Sequence, residues 1–300
     1  MKVVYSTQEN KLARVYVAEL NDGSKIEFVE STQPPHTIDE KWVLIVSTLK
    51  GCPVSCSICD AGSYYSGVLT SEEILSQINY MVEQRYPDKN VKTAKFKIQF
   101  SRIGEPAFND NVLDVLKQLP ALYDSQKLLP SLSTIAPRGR DSFFKELIDI
   151  KNEFYSNGKF QLQFSIHTSC EQMRKKLIPA NTWNFKEISE YVSKFFSPGD
   201  RKVTLNFATP VGYPLDVKEL KTFFDPKHCL IKLTPVNPTD KSLKNHFTGL
   251  INPETPDAND EIIKEFMCAG YDAILSIGEL EENIIGSNCG MYLNHNEYSL

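Results

Sequence analysis

The sequence predicts an α/β fold, an open (β/α)6 partial TIM barrel with an N-terminal β-hairpin extension. Two observations carry this expectation. From Trp42 onward, short apolar runs alternate with amphipathic helical stretches, the pattern of parallel strands joined by right-handed crossovers. Polar and cysteine-bearing clusters then fall at the same end of several of those runs, the end where chemistry collects in barrels of this type. Residues 1–40 are expected to form the extension and residues 41–300 the core with a functional C-terminal loop.

The elements follow in order. Arg14–Leu20 and Lys25–Glu30 flank Asn21-Asp22-Gly23, which reads as a hairpin with an Asp-Gly turn. Strands are expected at Trp42–Ser47, Phe96–Phe100, Ser131–Ile135, Leu162–His167, Lys202–Phe207, Leu230–Thr234 and Ala273–Ile277. Between the first two, Ser71–Arg85 places Ile74, Leu75, Ile78, Met81 and Val82 on one helical face. Thr70 with Glu73 reads as its capping box. The same logic gives helices at Asp110–Tyr123, Asp141–Tyr155, Phe185–Phe196, Val217–Phe224 and Asn259–Ala269. Asn237–Asp260 is a long, polar, Pro-rich connection, either a substrate lid or a surface loop.

Hydrophobic residues make up 41% of the 300 positions and charged residues 24%, enough to bury a core. Met1–Lys11 lacks the apolar stretch of a signal peptide, and no run has membrane-spanning length. A cytoplasmic, membrane-free protein is expected. The net charge of −5 does not favour a nucleic-acid partner. Arg174, Lys175 and Lys176 read as a solvated helix face.

The most specific signal is Gly51-Cys52-Pro53-Val54-Ser55-Cys56-Ser57-Ile58-Cys59, a C-x3-C-x2-C loop just after the first core strand. Three thiolates on one tight loop can hold three irons of a [4Fe-4S] cube and leave the fourth open to a ligand. A structural zinc site wants four N/S ligands, usually as two pairs, and no fourth Cys or His follows at that spacing. Seven cysteines make an odd number for a disulfide framework. This spacing is similar to that of the radical S-adenosylmethionine (SAM) superfamily, in which the open iron takes the amino and carboxylate groups of SAM. The residue before the third cysteine, usually aromatic there and near the adenine, is Ile58.

Further segments extend the resemblance: IGEP around Gly104-Glu105, LSTIAP around Ser133, FSIH ending at His167 followed by KKLIPAN, LTPVNP around Asn237, and a late Ile-Gly-Ser-Asn-Cys289-Gly290. In this order, over about Val43 to Gly290, they resemble the class A radical-SAM methyltransferases that modify an adenine of ribosomal RNA. The resemblance implies that Cys52, Cys56 and Cys59 hold the cluster and that Gly104 and Glu105 contact the SAM amino group. It implies that Ser133, Ser165 and Asn237 contact its carboxylate or ribose, and that Cys289 carries a methyl group. His167 reads equally as part of the cofactor-contacting set or as a hydrogen-bonded strand-end histidine. Simpler roles are open for the rest: a solvated loop carboxylate for Glu105, turn formation for the Ser and Asn residues, and a buried thiol for Cys289. Cys268 reads as helix packing, and Cys229 as lying at the opposite end of the strands.

Two departures shape the expected function. Seven residues before Cys52, where the resembled family has a second catalytic cysteine, stands Ile45, and Cys170 is the nearest substitute thiol. About forty residues precede the core, where that family has an RNA-binding accessory domain. The expected protein is therefore a radical-SAM enzyme, methyltransferase-like, acting through Cys289 on a small molecule or peptide and drawing electrons from a flavodoxin- or ferredoxin-type donor. The alternatives are an RNA adenine methyltransferase and a non-catalytic iron–sulfur or zinc protein.

Overall fold

The computed structural model describes residues 1–8, 12–32, 35–123, 127–278, 281 and 285–287. Three antiparallel strands come first, β1 (Lys2–Ser6), β2 (Ala13–Glu19) and β3 (Lys25–Ser31). The β2–β3 turn closes through Gly23 at φ +81°, with Asp22 Oδ1 accepting from Ser24 N at 3.0 Å. β3 pairs antiparallel with β4 (Trp42–Val46), so the extension continues the main sheet. Two short strands, β5 (Leu49–Gly51) and β6 (Tyr65–Val68), form a separate ribbon.

Helix and strand then alternate. α1 (Ser71–Arg85), β7 (Phe96–Phe100), α2 (Asn111–Leu122), β8 (Leu128–Thr134) and α3 (Asp141–Phe154) lead to β9 (Gln161–Ser165). The next crossover holds two helices, α4 (Glu171–Leu177) and α5 (Phe185–Phe195), before β10 (Val203–Phe207). α6 (Val217–Phe223), β11 (Cys229–Leu233), α7 (Asp240–Lys244), α8 (Asp260–Cys268) and β12 (Asp272–Leu275) complete the described chain. The sheet order is β1-β2-β3-β4-β7-β8-β9-β10-β11-β12, with every pair from β4 to β12 parallel.

The expected helices recur within a residue or two, because each has an apolar face that buries. In α1 this face is Ile74, Leu75, Ile78, Met81 and Val82, and the Thr70–Glu73 capping box forms. β8 begins at Leu128, three residues before the expected Ser131, because pairing with β7 sets Leu128 opposite Phe96. β1, β5, β6 and α7 are not among the expected elements, and α4 is expected only as a helix face at Arg174–Lys176. They are short, and β1 is a partly exposed edge strand whose burial never alternates cleanly. Such pieces are fixed by neighbours rather than by their own periodicity.

β7, β9 and β11 bury alternate residues. Phe96, Ile98 and Phe100 join the main core, whereas Lys97 and Gln99 belong to the opposite face. Lys97 is held down to about 7, first by burial and then by Lys232 of β11.

Thr70→Ala removes a cap whose Oγ1 accepts from Glu73 N at 3.1 Å. The expected cost is about 1 kcal/mol, read as a lower urea midpoint with an unchanged slope. Phe144→Ala, which empties a site packed against Trp183 and Tyr191, should cost about 3–5 kcal/mol in the same titration.

Candidate functional site

The three-cysteine motif forms the connection of the β5–β6 ribbon. Gly51 starts it at φ +83°, with its Cα pressed so close to Tyr64 that a Cβ would lie 2.0 Å from the Tyr64 carbonyl oxygen. Only glycine fits both constraints. Cys52 N donates to the same carbonyl at 2.9 Å, which closes the loop base. A 3-10 turn at Asp60–Ser63 finishes it.

Two other elements hold this loop. From the end of α4, Leu177 O accepts from Ser57 N at 2.9 Å and Lys176 O accepts from Ser57 Oγ at 3.0 Å. From the segment after β11, Thr239 Oγ1 donates to Ile58 O at 3.2 Å and Asn245 Nδ2 to Ser57 O at 2.9 Å. The buried Asp60 carboxylate accepts from Asp240 N at 2.9 Å and Lys241 N at 3.0 Å, the first two amides of α7, a helix too short to form alone. The long segment Asn237–Asp260 is thus partly a clamp on the cysteine loop.

Cys52, Cys56 and Cys59 are half-buried. Cys52, Cys56 and Ile58 pack beside Val54, Ile135, Leu177 and Ile178. Burial pushes Cys56 up to about 12, against the pull of Lys241. The backbone amides of Val54, Glu105 and Ser55 favour a thiolate at Cys52, although burial raises it on balance. Among the described residues, no group of three or more His, Cys, Asp or Glu side chains gathers around a single metal position. A cube that gives each thiolate its own iron does not require the sulfurs to meet at one point. Three soft thiolates on one loop, with cations at Lys241 and Arg174 to balance negative charge, fit an iron–sulfur cluster with one open corner.

The other expected residues gather at the C-terminal strand ends. Gly104 has φ +105° and no room for a Cβ against Leu49. Glu105 is buried and accepts from Thr134 Oγ1 at 2.5 Å, Ile135 N at 2.8 Å and Ala107 N at 3.0 Å. It is therefore no solvated loop carboxylate: it ties the end of β7 to the end of β8. Burial pushes it up to about 7 despite those donors. Ser133 Oγ accepts from Gln163 Nε2 at 3.2 Å. Ser165 ends β9, and Asn237 lies two residues before Thr239. Cys289 lies outside the described residues.

His167 is buried at φ +67°, and its Nδ1 accepts from Ala208 N at 3.0 Å. Burial and the nearby Arg174 hold it down to about 3, so the ring is neutral with its proton on Nε2.

Arg174 corrects the sequence reading. It is buried rather than solvated, and donates to Ser165 O, Thr182 Oγ1, Trp183 O and Ile135 O at 2.8–3.3 Å. Lys175 and Lys176 are exposed as expected. Cys268 is likewise corrected: it faces solvent, because α8 turns only Phe266 fully inward. Cys229 is buried at the start of β11. Cys170, at the head of α4, donates from Sγ to Gln172 Oε1 at 3.2 Å. Arg174, Asp60 and Thr239 went unrecognised as site residues, and only the Thr239-Asp240 start of a short helix could have signalled one of them.

The fold is that of a solved radical SAM methyltransferase from Sphaerobacter thermophilus, matched at a TM-score of 0.74 and 19% identity over 97% of this chain and 80% of that one. In sequence the chain is 31% identical over 242 residues to the probable dual-specificity RNA methyltransferase RlmN of Clostridium botulinum strain Loch Maree, covering 76% of this chain and 64% of that protein. It is 27% identical over 278 residues to the protein of that name from Petrotoga mobilis, covering 88% and 74%. No family model matches the chain. The chain is thus distantly similar to RlmN-type methyltransferases, and it spans less than two thirds of the Clostridium relative's length. No helix among the described residues is long and apolar enough to cross a membrane.

Two outcomes are expected. Asp60→Ala leaves the amides of Asp240 and Lys241 without their acceptor, and hydrogen exchange at those two positions should rise. For His167, the folded chain resists a proton that the unfolded chain accepts near pH 6.5. Stability from the neutral ring is present above that pH and lost as pH falls. The acid-side slope of stability should be shallower in His167→Gln, measured by urea midpoints from pH 7 to pH 4.

Proposed function

We propose that this protein is a radical SAM enzyme that binds a [4Fe-4S] cluster at Cys52, Cys56 and Cys59 and methylates a small molecule or peptide through Cys289, on an open (β/α)6 partial barrel. The single observation that supports this most is the placement of the three-cysteine hairpin against Glu105 after β7, Ile135 after β8 and the Thr239–Lys241 segment after β11. A lone metal loop needs no such surroundings; a site that must hold an organic cofactor beside a metal does. A cluster held by Cys52, Cys56 and Cys59 with SAM beside it would supply a transferable methyl group and one-electron chemistry.

The chain's own residues divide the remaining work. Arg174 and Lys241 balance the charge of the thiolates. Glu105, Ser133, Ser165 and Asn237 offer acceptors and hydroxyl donors for the amino, carboxylate and ribose groups of SAM. Gly104 lets a ligand approach the backbone, and Ile58 gives an apolar surface for the adenine. His167, neutral, has an Nε2 proton to donate. Cys289 serves as a thiolate nucleophile toward the methyl group. A flavodoxin- or ferredoxin-type protein is the proposed electron donor, and the cytoplasm the proposed compartment.

The net charge of −5 supports a small or peptide acceptor over ribosomal RNA, although the curated relatives carry the name of RNA methyltransferases.

The test is anaerobic reconstitution followed by mass analysis of the Cys289 peptide after incubation with SAM. One added methyl group is expected, together with 5′-deoxyadenosine once a reductant is present. Absence of both, with iron bound, would leave only an iron–sulfur protein. Methyl transfer to RNA with a steep salt dependence would replace the proposed acceptor. Each of Cys52→Ala, Cys56→Ala and Cys59→Ala should lose bound iron and sulfide, whereas Cys229→Ala should retain them.

A further inference from the structure

Arg102 follows β7 and is almost fully buried, yet it has no place in the cofactor site described above. Its Nε pairs with Glu27 Oε1 at 2.7 Å, and the Glu27 side chain is completely buried. The two outer nitrogens reach the far end of the chain: Nη2 donates to Gly286 O at 2.7 Å and Nη1 to Ser287 O. Gly286 and Ser287 are buried as well. A guanidinium suits this arrangement, because its charge pairs with the carboxylate while its outer N–H groups donate to two carbonyls at once.

The support behind Arg102 is rigid. Arg102 N donates to Val46 O at 3.0 Å, and Ile103 N to Ser47 Oγ at 3.2 Å, while Ser47 Oγ donates to Glu27 O at 2.5 Å. β3, β4 and the end of β7 are thereby locked around the ion pair. An apolar contact lies alongside. Ile285 packs against Ala13, Val15 and Val29 of β2 and β3, and Ile45 of β4 joins the same patch.

We propose that Arg102, oriented by Glu27, is a positioning residue that fixes the segment leading into Cys289, and that the N-terminal strands are its dock. Gly286 and Ser287 end two residues before Cys289 in the sequence, so holding their carbonyls restricts where that thiol can go. Arg102 also stands two residues before Gly104. One side chain thus sets the register between the C-terminal segment and the β7 loop. Ile45 lends its side chain to this dock. The inference rests on the proposed role of Cys289.

The experiment uses the full chain, reconstituted with iron and sulfide, as wild type, Arg102→Lys and Ile285→Ala. Lysine keeps a charge for Glu27 but cannot hold two carbonyls at once. Ile285→Ala leaves the ion pair intact and guards against a result caused by misfolding of the Arg102 variant. Three readouts are taken: hydrogen exchange of residues 281–300, iodoacetamide labelling of Cys289 relative to Cys268, and methyl incorporation at Cys289 with SAM. Equal iron content serves as the control for an intact cluster site.

Exchange and labelling are expected to rise about tenfold in Arg102→Lys, the change produced when a charge-assisted hydrogen bond no longer opposes local opening. Methyl incorporation should fall with them. Exchange and labelling unchanged in both variants would overturn the proposal. Faster exchange and labelling with no loss of methyl incorporation would overturn the positioning role. If wild type takes up no methyl group while the variants still exchange and label faster, the dock stands and the methyl-carrier reading of Cys289 falls.

Discussion

The buried guanidinium of Arg174 is the interaction on which the candidate site depends. It donates to carbonyls at the ends of β8 and β9 and to the loop that leads into α5. Burial pulls it down to about 10, so it stays charged at neutral pH. A cation held there must be matched by negative charge or by dipoles. Four backbone or hydroxyl acceptors match it, with Cys56, Glu171 and Glu105 nearby. Burial keeps His167 neutral, and the same charge adds to that effect. One residue therefore shapes the strand ends and biases the protonation of their neighbours.

A second constraint is architectural. The cysteine loop is not an appendage of β4 but the closure of its own two-stranded ribbon, β5 with β6. α4 grips it from one side and α7 from the other. Loops that carry function are positioned by rigid elements beneath them, and here the grips combine backbone hydrogen bonds with the side chains of Ser57 and Asp60. Asp60 in turn binds the first two amides of α7, whose N-cap is Thr239, so loop and clamp stabilise one another.

The two ends of the chain meet at a buried ion pair. Arg102 and Glu27 would each be costly to bury alone, and together they form a polar anchor within the sheet for the carbonyls of Gly286 and Ser287. The hairpin extension thereby joins the framework beside the site, since β3 pairs with β4 in the main sheet, whose strand β7 runs on into Arg102 and Glu105.

The sequence by itself determined the order of strands and helices, because amphipathic faces such as that of α1 and apolar runs such as Phe96–Phe100 carry their periodicity locally. It also determined the three-cysteine spacing and the polar residues at the strand ends, for which chemistry and position along the chain suffice. Only the tertiary structure decided that Arg174 is buried rather than solvated, that Glu105 binds β8, that Cys268 faces water and that Asp60 binds the first amides of α7. Those outcomes depend on partners far away in sequence, and no local pattern encodes which distant carbonyl or amide a polar side chain will meet. The short elements β1, β5, β6, α4 and α7 belong with them. Each lacks the length to stand alone and takes its conformation from the neighbours that satisfy its backbone.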